Sequence, residues 1–260
     1  MIQISAVHLL ALFATVFCVT IFKEGLAEFA SVPTSSWWLA AASGLVQVAS
    51  WIAYFYAIKE ANVSFLMVLD KTGIIVTMLL AALFFDEPIT LIMVFGSVLI
   101  LIGASLMGNL NTSISQLFNK ENHWILWGIA SPALQALSNT LAKLDTAPID
   151  TSVTTTIRMF VVAVSLCITA AVKEGSFRKL RDVGGGHIAM LVLGGAILGV
   201  SYLFMYESFS LGKVSTATAI VRANFLVTTL LARIVFKEKL SRLGVAGFLM
   251  VVLGVALFVL

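Results

Sequence analysis

Long apolar stretches follow one another along almost the whole chain, and short polar links separate them. Each stretch is close to the roughly 20 residues that an α-helix needs to cross about 30 Å of hydrocarbon. The pattern therefore predicts an all-α integral membrane protein with nine transmembrane helices. The predicted spans are residues 4–22, 36–58, 64–85, 91–107, 124–143, 152–172, 188–209, 215–236 and 243–259.

The composition agrees with this pattern and excludes several classes of protein. Of the 260 residues, 60% are hydrophobic and 11% are charged, and the mean hydropathy is +1.05. A soluble domain cannot keep so apolar a composition in water. The formal net charge of +3 is too small to indicate a nucleic-acid partner. Cys18 and Cys167 lie inside apolar spans without a metal-binding or disulfide spacing, and we interpret them as small hydrophobic residues; we expect no metal, and a carrier needs no bound cofactor.

The chain contains an internal repeat. Residues 63–103 match residues 214–254 at a constant offset of 222 − 71 = 151. This offset pairs Lys71 with Arg222, so a cation lies inside an apolar span at equivalent positions of both halves. Further pairs are Val63 and Val214, Ser64 and Ser215, Thr77 and Thr228, Phe85 and Phe236, Glu87 and Glu238, Gly96 and Gly247, and Gly103 and Gly254.

The repeat divides the chain into two predicted halves, residues 1–109 and 122–260, which a loop at residues 110–121 connects. Residues 23–25 match residues 173–175, which pairs the first span with the sixth. The first half therefore has four spans and the second has five, and span 124–143 has no equivalent in the first half. Equivalent spans lie five positions apart, so they cross the membrane in opposite directions. This arrangement is an inverted repeat.

The distribution of Lys and Arg among the links predicts the orientation. Links that follow even-numbered spans carry nine of these residues, and links that follow odd-numbered spans carry three. Because cytoplasmic links are enriched in Lys and Arg, the even-numbered links are predicted to be cytoplasmic. The N-terminus is then cytoplasmic and the C-terminus external.

The same short motifs end corresponding spans of both halves. A tyrosine-containing span end is followed by a span that ends in Phe-x-Glu and then by Gly-x6-Gly, as at Glu87, Gly96 and Gly103. This combination resembles the EamA family of the drug/metabolite transporter superfamily. The resemblance covers essentially the whole chain and implies the ten-helix EamA fold without its first helix. It also implies a multi-pass carrier of small metabolites in the cell membrane.

The two buried cations are the strongest candidates for a functional site. Lys71 lies about eight residues into its predicted span, roughly 12 Å deep, and Arg222 lies equally deep from the opposite side. The inverted repeat therefore predicts that they approach each other near the bilayer centre. Each costs about 2.5–3.5 kcal/mol on insertion scales. An anionic substrate would offset this cost, because Arg and Lys both bind carboxylate and phosphate.

Asp70 supplies a structural alternative to substrate binding. It is also predicted to be buried, and in this alternative it pairs with Arg222 across the repeat while Lys71 is neutral. Adjacent helix residues point about 100° apart, so we expect Asp70 not to pair with Lys71 and Lys71 to have no partner in the protein. Two further hypotheses are that Asp70 releases Arg222 when substrate arrives, or that Asp70 carries a coupling proton.

Other polar residues inside the spans are predicted to line a cavity together with the cations. Arg158 either lines this cavity or extends towards the headgroups. For each neutral residue alone, a hydrogen bond between helices is the simpler interpretation. The neutral candidates are Gln47, Trp51, Tyr54, Gln135, Asn139, Tyr202 and Asn224. The repeated glycines are expected to allow close helix contact, and Glu87 and Glu238 to cap the spans that follow them.

These observations predict a secondary transporter that moves a small anionic or zwitterionic metabolite by alternating access around Lys71 and Arg222. One alternative is an exporter of neutral or amphipathic compounds in which the cations are structural. An intramembrane enzyme is a distant alternative, because the sequence has no His-Glu-x-x-His and no Gly-x-Ser-x-Gly motif. The expected partners are a small-molecule substrate and the lipid bilayer. We expect no obligate protein partner, and both a monomer and a dimer are compatible with the sequence.

Overall fold

The computed structural model describes residues 2–60, 63–107, 123–144, 150–174, 185–235 and 241–259. Within these ranges the regular secondary structure is helical throughout. The helices are α1 (Ile2–Glu24), α2 (Glu28–Ser31), α3 (Thr34–Glu60), α4 (Val63–Lys71), α5 (Gly73–Phe85), α6 (Leu91–Met107), α7 (His123–Lys143), α8 (Thr151–Glu174), α9 (Gly185–Leu211), α10 (Val214–Arg222), α11 (Asn224–Val235) and α12 (Arg242–Val259).

Within the described ranges, seven helical segments are long and apolar enough to cross a membrane. They are Val7–Glu24, Thr34–Lys59, Leu66–Phe85, Thr151–Thr169, Gly185–Leu211, Val214–Leu231 and Arg242–Val259. The segment Leu66–Phe85 joins α4 to α5, and Val214–Leu231 joins α10 to α11. Helix α6 is apolar but shorter, and α7 is outside this set. The predicted all-α class with several apolar spans is therefore confirmed, whereas the count of nine spans stays a prediction.

The chain forms two compact units, and each unit takes segments from both sequence halves. The first unit contains Met1–Val48 and Leu141–Leu211, and the second contains Ala49–Thr140 and Gly212–Leu260. The boundaries fall inside α3 and α7, so these two helices contribute to both units. The predicted connecting loop at 110–121 lies outside the described residues.

In the first unit, glycines of both sequence halves bring helices close together. A Cβ added at Gly44 of α3 would lie 2.9 Å from the carbonyl oxygen of Arg158 in α8. A Cβ added at Gly195 of α9 would lie 2.2 Å from the carbonyl oxygen of His8 in α1. Residues 8 and 158 correspond at the offset of 173 − 23 = 150, which also pairs Gly44 with Gly194, the residue before Gly195. The two helix pairs therefore make reciprocal contacts, in which each half supplies one partner.

In the second unit, α6 and α12 pack through the predicted glycines. Added Cβ atoms at Gly96 and Gly103 would lie 2.7 and 2.6 Å from the carbonyl oxygens of Gly254 and Gly247, respectively. Residue numbers rise along one helix as they fall along the other, so α6 and α12 are antiparallel. Such close contact requires residues without side chains, as expected for helices that pack in a membrane. The two contacts are equivalent in the repeat: the offset of 151 relates Gly96 to Gly247 and Gly103 to Gly254, so it converts each contact into the other.

Glu87 binds a different helix from the one that the sequence predicted. Its carboxylate accepts hydrogen bonds from the backbone N–H groups of Val214 and Ser215 at the start of α10. The following helix, α6, is capped instead by Thr90, whose Oγ1 accepts a hydrogen bond from the N–H of Met93 at 3.2 Å. The expectation that Glu87 caps the span after it is therefore wrong. Thr90 satisfies one N–H group of α6, and the longer Glu87 side chain reaches the start of α10 in the other half. The equivalent Glu238 lies outside the described residues.

Candidate functional site

Two apolar spans are interrupted in the middle, each directly after its buried cation. Helix α4 ends at Lys71 and helix α10 ends at Arg222. At the breaks, the N–H of Thr72 donates to the carbonyl three residues before it at 3.0 Å, and that of Ala223 does the same at 3.1 Å. Both breaks therefore tighten locally towards 3₁₀ geometry. Each cation lies at the C-terminal end of a half-helix, where the helix dipole favours positive charge.

Asp70 pairs with Arg222, as the sequence predicted for the structural alternative. The Nη1 of Arg222 donates to the Oδ1 of Asp70 and, at 2.9 Å, to the backbone carbonyl oxygen of Asp70. One guanidinium nitrogen therefore holds both the side chain and the main chain of the residue before the break. The contact joins α4 to α10 inside the second unit.

Lys71 also has partners, so the expectation that it stands alone is wrong. Its Nζ lies 3.3 Å from Oδ2 of Asp70 and 3.4 Å from Oδ1 of Asn224. The same ammonium lies 4.9 Å from the ring centroid of Phe225, which is within the range of a cation–π interaction. Although the Cβ directions of residues 70 and 71 diverge, the flexible four-carbon stem of lysine lets Nζ return to its neighbour.

The charges of this cluster do not balance. Lys71 is 4% exposed and Arg222 is 8% exposed, whereas the Asp70 side chain keeps 30% of its surface exposed. Among these three groups there are two cations and one carboxylate, which leaves a formal charge of +1. Since a buried charge is stabilised by a counter-ion, the cluster is suited to receive one more negative group.

A slot beside Gly73 holds the end of the Arg222 side chain. A Cβ added at Gly73 would lie 2.7 Å from Nη2 of Arg222 and 3.1 Å from Cβ of Pro132. The guanidinium thus occupies the space that a larger residue at position 73 would fill. The Nη2 atom is buried, and no hydrogen-bond acceptor among the described residues reaches it. A buried donor without an acceptor costs about 1–3 kcal/mol, so this atom is ready to bind an acceptor.

A cavity of about 170 Å³ adjoins Lys71 within the second unit. Its walls are mostly apolar and include an aromatic face, two thioethers and two hydroxyl groups. The lining residues are Met67, Val68, Lys71, Ala104, Met107, Phe225, Thr228 and Thr229. A charged group at one edge of an apolar space suits a small molecule with an ionic end and an apolar body.

The remaining candidates of the second unit are only partly connected with the charge cluster. Tyr54 lies close enough to Asp70 for the two side chains to interact electrostatically. Gln135 and Asn139 lie one turn apart on α7, and Nε2 of Gln135 donates to Oδ1 of Asn139 at 3.1 Å. Trp51 is half-buried one turn before Tyr54 on α3. This hydrogen bond lies within α7, so it tests neither a hydrogen bond between helices nor a cavity lining, and both interpretations stay predictions.

Arg158 forms a second cluster, inside the first unit. It is 2% exposed, and its Nη2 donates to Oε1 of Gln47 at 3.0 Å. Its guanidinium carbon lies 4.2 Å from the ring centroid of Tyr206, which stacks on Tyr202 at 5.8 Å. Of the two predicted positions for Arg158, the described contacts favour burial within the helices. The structure thus brings Gln47, Arg158 and Tyr202 together within the first unit, and their predicted role in lining a cavity with the cations stays a prediction.

Sequence reasoning missed three residues that shape these clusters. Gly73 and Phe225 follow the breaks and contact the opposite cation, but a single glycine or phenylalanine in an apolar span carries no signal by itself. Tyr206 lies four residues after Tyr202, so it shares a helix face with a predicted residue. This spacing of four residues could have predicted from the sequence that Tyr206 belongs to the same cluster as Tyr202.

Comparisons with known proteins show which family and which fold the chain resembles. The model of a family described as the EamA-like transporter family matches residues 1–109 and 122–260. A curated relative from Sinorhizobium sp, named as an uncharacterized transporter in the cobO 3' region, is 26% identical over 136 residues, which are 52% of this chain and 94% of the relative. A solved crystal structure, described only as that of a protein, covers 100% of this chain and 88% of its own with a TM-score of 0.80 and 17% identity. At that identity the likeness shows the fold alone.

Proposed function

Because the chain belongs to the EamA-like transporter family, we propose that it is a secondary transporter that moves a small anionic or zwitterionic metabolite by alternating access. The coarser statement, a multi-pass membrane transporter, follows from the family and the apolar helices. The observation that carries the substrate class is the excess positive charge of the buried cluster formed by Asp70, Lys71 and Arg222.

The chemistry of Arg222 supports an anionic group on the substrate. Its guanidinium uses Nη1 to bind Asp70, while Nη2 has no acceptor among the described residues. A carboxylate or phosphate can accept hydrogen bonds from two guanidinium nitrogens at once, which is stronger than a contact with a single nitrogen. Substrate binding then satisfies the buried donor and brings the missing negative charge.

Asp70 acts in this proposal as an internal substitute for the substrate. Its carboxylate contacts both Lys71 and Arg222, so it holds the site together when no substrate is bound. An incoming anion competes with Asp70 for Arg222 and leaves the aspartate with Lys71. Since a ligand shifts a conformational equilibrium only through differential contacts, this exchange of partners supplies a means of coupling binding to movement.

The relation between the two halves supports alternating access. Glu87, just after α5, binds the start of α10, while Asp70 near the end of α4 binds Arg222 at the end of α10. Helices α4–α5 and α10–α11 therefore run antiparallel, as α6 and α12 do. With the matching breaks after Lys71 and Arg222, this geometry supports an inverted repeat of four plus five helices around a central site.

The cavity beside Lys71 supports a substrate with an apolar part. Its lining by Met67, Met107 and Phe225 favours contact with a small aliphatic or aromatic group. Among the predicted residues, Tyr54 lies near Asp70 and Asn224 lies 3.4 Å from Nζ of Lys71. Arg158 with Gln47 and Tyr202 remains a predicted further part of the substrate path.

A second candidate function is export of neutral or amphipathic compounds. The observation that favours it is the contact of Asp70 with both cations, which lowers the need for an external anion. In that case the cluster is a structural link between α4 and α10, and the cavity alone binds the substrate.

Thermal unfolding of the purified protein with a ligand panel separates the two functions. The panel contains L-glutamate, L-phenylalanine, 3-phenylpropionate and uridine. We expect stabilisation by at least one of the three carboxylates, by about 2.7 kcal/mol at 100 times Kd. The shift should be lost in Arg222→Ala, reduced in Lys71→Ala and kept in Lys213→Ala, which removes an exposed cation of the same unit. Stabilisation by uridine alone, or an equal carboxylate shift in Arg222→Ala, contradicts the anion site.

A further inference from the structure

We infer that Glu87 is a positioning residue for Arg222 and acts through the half-helix α10. This inference rests on the proposed role of Arg222 in binding an anion. It concerns a residue that neither touches the charge cluster nor lies in the same sequence half as Arg222. The connection is the helix itself, because α10 begins at the Glu87 carboxylate and ends at Arg222.

The Glu87 carboxylate uses both oxygens at the start of α10. The N–H of Val214 donates to Oε1 at 2.9 Å, and the N–H of Ser215 donates to Oε2 at 3.3 Å. The hydroxyl of Ser215 also donates to Oε2 at 2.6 Å. Glu87 is 8% exposed, so these charge-assisted bonds are largely shielded from water. A negative charge at a helix N-terminus is further stabilised by the helix dipole.

Helix α10 has interruptions at both ends. Lys213 before it is extended, with φ of −74° and ψ of 129°, and Ala223 after it leaves the helical conformation, with ψ of 1°. The helix has nine residues, so its first and last Cα atoms are about 12 Å apart along the axis. Because the helix has an extended residue before it and a one-residue break before α11, contacts at its two ends contribute to its position. Glu87 holds one end, and Asp70 holds Arg222 at the other.

The two anchors act on the same face of α10. Ser215 and Arg222 are seven residues apart, which is close to two helical turns. Both residues are buried. Glu87 through Ser215 and Asp70 through Arg222 therefore fix the rotation of the helix as well as its axial position. A shift of the Glu87 contact moves the helix as a rod and changes the distance from Arg222 to Asp70.

A matched control exists three residues away in the same link. Thr90 caps α6 by accepting a hydrogen bond from the N–H of Met93, and among the described residues its side-chain contact is with α6 and not with α10. Thr90→Ala removes a helix cap near Glu87 without acting on the helix that carries Arg222. If a substitution only weakens this link, its effect on stability should be similar at Thr90 and at Glu87. Coupling to the charge cluster is expected for the Glu87 substitution and not for Thr90→Ala.

A double-mutant cycle in thermal unfolding of the full chain tests the inference. Glu87→Gln keeps the size of the side chain and removes its charge, and Asp70→Asn removes the anchor at the other end. We expect the loss of Tm caused by Glu87→Gln to be smaller in the Asp70→Asn background than in the parent, by about 2–4 °C. Thr90→Ala should cost the same in both backgrounds. Equal losses for Glu87→Gln in the two backgrounds overturn the inference.

A second variant keeps the test decisive if Glu87→Gln does not fold. Ser215→Ala removes only the hydroxyl that donates to Oε2, so the two backbone hydrogen bonds to Glu87 remain. It enters the same cycle with Asp70→Asn, and a non-additive loss of Tm again supports the inference. Additive losses in this cycle overturn it.

The ligand panel distinguishes failure of this inference from failure of the proposed function. The cycle measures contacts within the protein and needs no ligand. If the cycle is non-additive while 3-phenylpropionate and the other carboxylates shift the Tm of Arg222→Ala as much as that of the parent, Glu87 positions Arg222 but the anion site is wrong. If the carboxylate shift depends on Arg222 while the cycle is additive, the anion site stands and the role of Glu87 is wrong.

Discussion

Lys71 and Arg222 occupy equivalent positions, but the protein holds them in different ways. The ammonium of Lys71 is shared among Asp70, Asn224 and the ring of Phe225 at distances of 3.3 Å or more. The planar guanidinium of Arg222 binds Asp70 more closely and fills the slot at Gly73. The strict geometry of a guanidinium suits recognition, and the loose contacts of an ammonium suit neutralisation. We therefore expect Arg222 to orient the substrate and Lys71 to contribute mainly charge.

Gly73→Ala tests the slot that holds Arg222. The added Cβ would lie 2.7 Å from Nη2, so the guanidinium must move away. Because this atom ends a flexible side chain, we expect the fold to survive while the Tm shift by the panel carboxylates falls. The control is Gly186→Ala, where no heavy atom lies within 4 Å of the added Cβ. A parent-like carboxylate shift in Gly73→Ala would show that the slot does not position Arg222.

At the scale of elements, short polar contacts at helix ends decide how helices meet. Asp150 is one example outside the spans, where it caps α8. Its Oδ1 accepts a hydrogen bond from the N–H of Ser152 at 2.8 Å, and its Oδ2 lies 2.5 Å from Nζ of Lys23 in α1. Burial alone would raise the pKa of Asp150, but the hydrogen bonds from Lys23 and Ser152 hold this pKa below its ordinary value of 3.8.

The lowered pKa of Asp150 gives a pH-dependent contribution to stability. Because the folded protein binds the proton less tightly than the unfolded chain, the contribution is present above the ordinary pKa and is lost as the pH falls through the folded pKa. Asp150→Asn keeps a capping oxygen but removes the charge that pairs with Lys23, so it should lower the Tm at pH 7 by the equivalent of about 0.2–1 kcal/mol. The difference from the parent should shrink at pH 3 or below.

Ser241→Ala is the matched control for this pH dependence. Ser241 caps α12 through its hydroxyl, which accepts a hydrogen bond from the N–H of Gly244 at 3.0 Å. Since a hydroxyl does not ionise in this range, its effect on Tm should be the same at pH 7 and pH 3. A difference for Asp150→Asn that also stays constant between these pH values would contradict the assigned role of its charge.

At the scale of the molecule, packing follows the repeat more closely than it follows the order of the chain. Each compact unit combines segments of both halves. The sequence offset predicted which residues are equivalent, and the contacts of Gly96 with Gly254 and of Gly103 with Gly247 show that equivalent helices face each other in the second unit. The sequence alone could not predict that α6 packs against α12, because the offset shows which residues correspond but not which helices are in contact.

Labelling of single cysteines tests the predicted opposite orientation of the halves. Lys59 and Lys213 are both exposed and precede equivalent helices, α4 and α10. In a background with Cys18→Ala and Cys167→Ala, we expect a membrane-impermeant maleimide to label Lys213→Cys from outside intact cells. Lys59→Cys should react only after the membrane is opened, and a permeant maleimide should label both. Reaction of both from the same side would contradict the inverted repeat.

The sequence by itself determined the helical class, the apolar segments, the repeat and the two buried cations. These features depend on local hydrophobicity and on spacing along the chain, both of which the order of residues records directly. It also predicted the pairing of Asp70 with Arg222, because a buried carboxylate and a buried cation at related depths have a strong reason to meet.

Only the tertiary structure decided which other groups meet. It gave Lys71 its three neighbours, placed Arg222 against Gly73 and attached Glu87 to α10 instead of α6. Each of these contacts depends on the path of a long side chain or on the approach of helices from different halves. The charge of a residue and its position in a span indicate what kind of partner stabilises it. The packing of segments that are distant in the chain determines which residue is that partner.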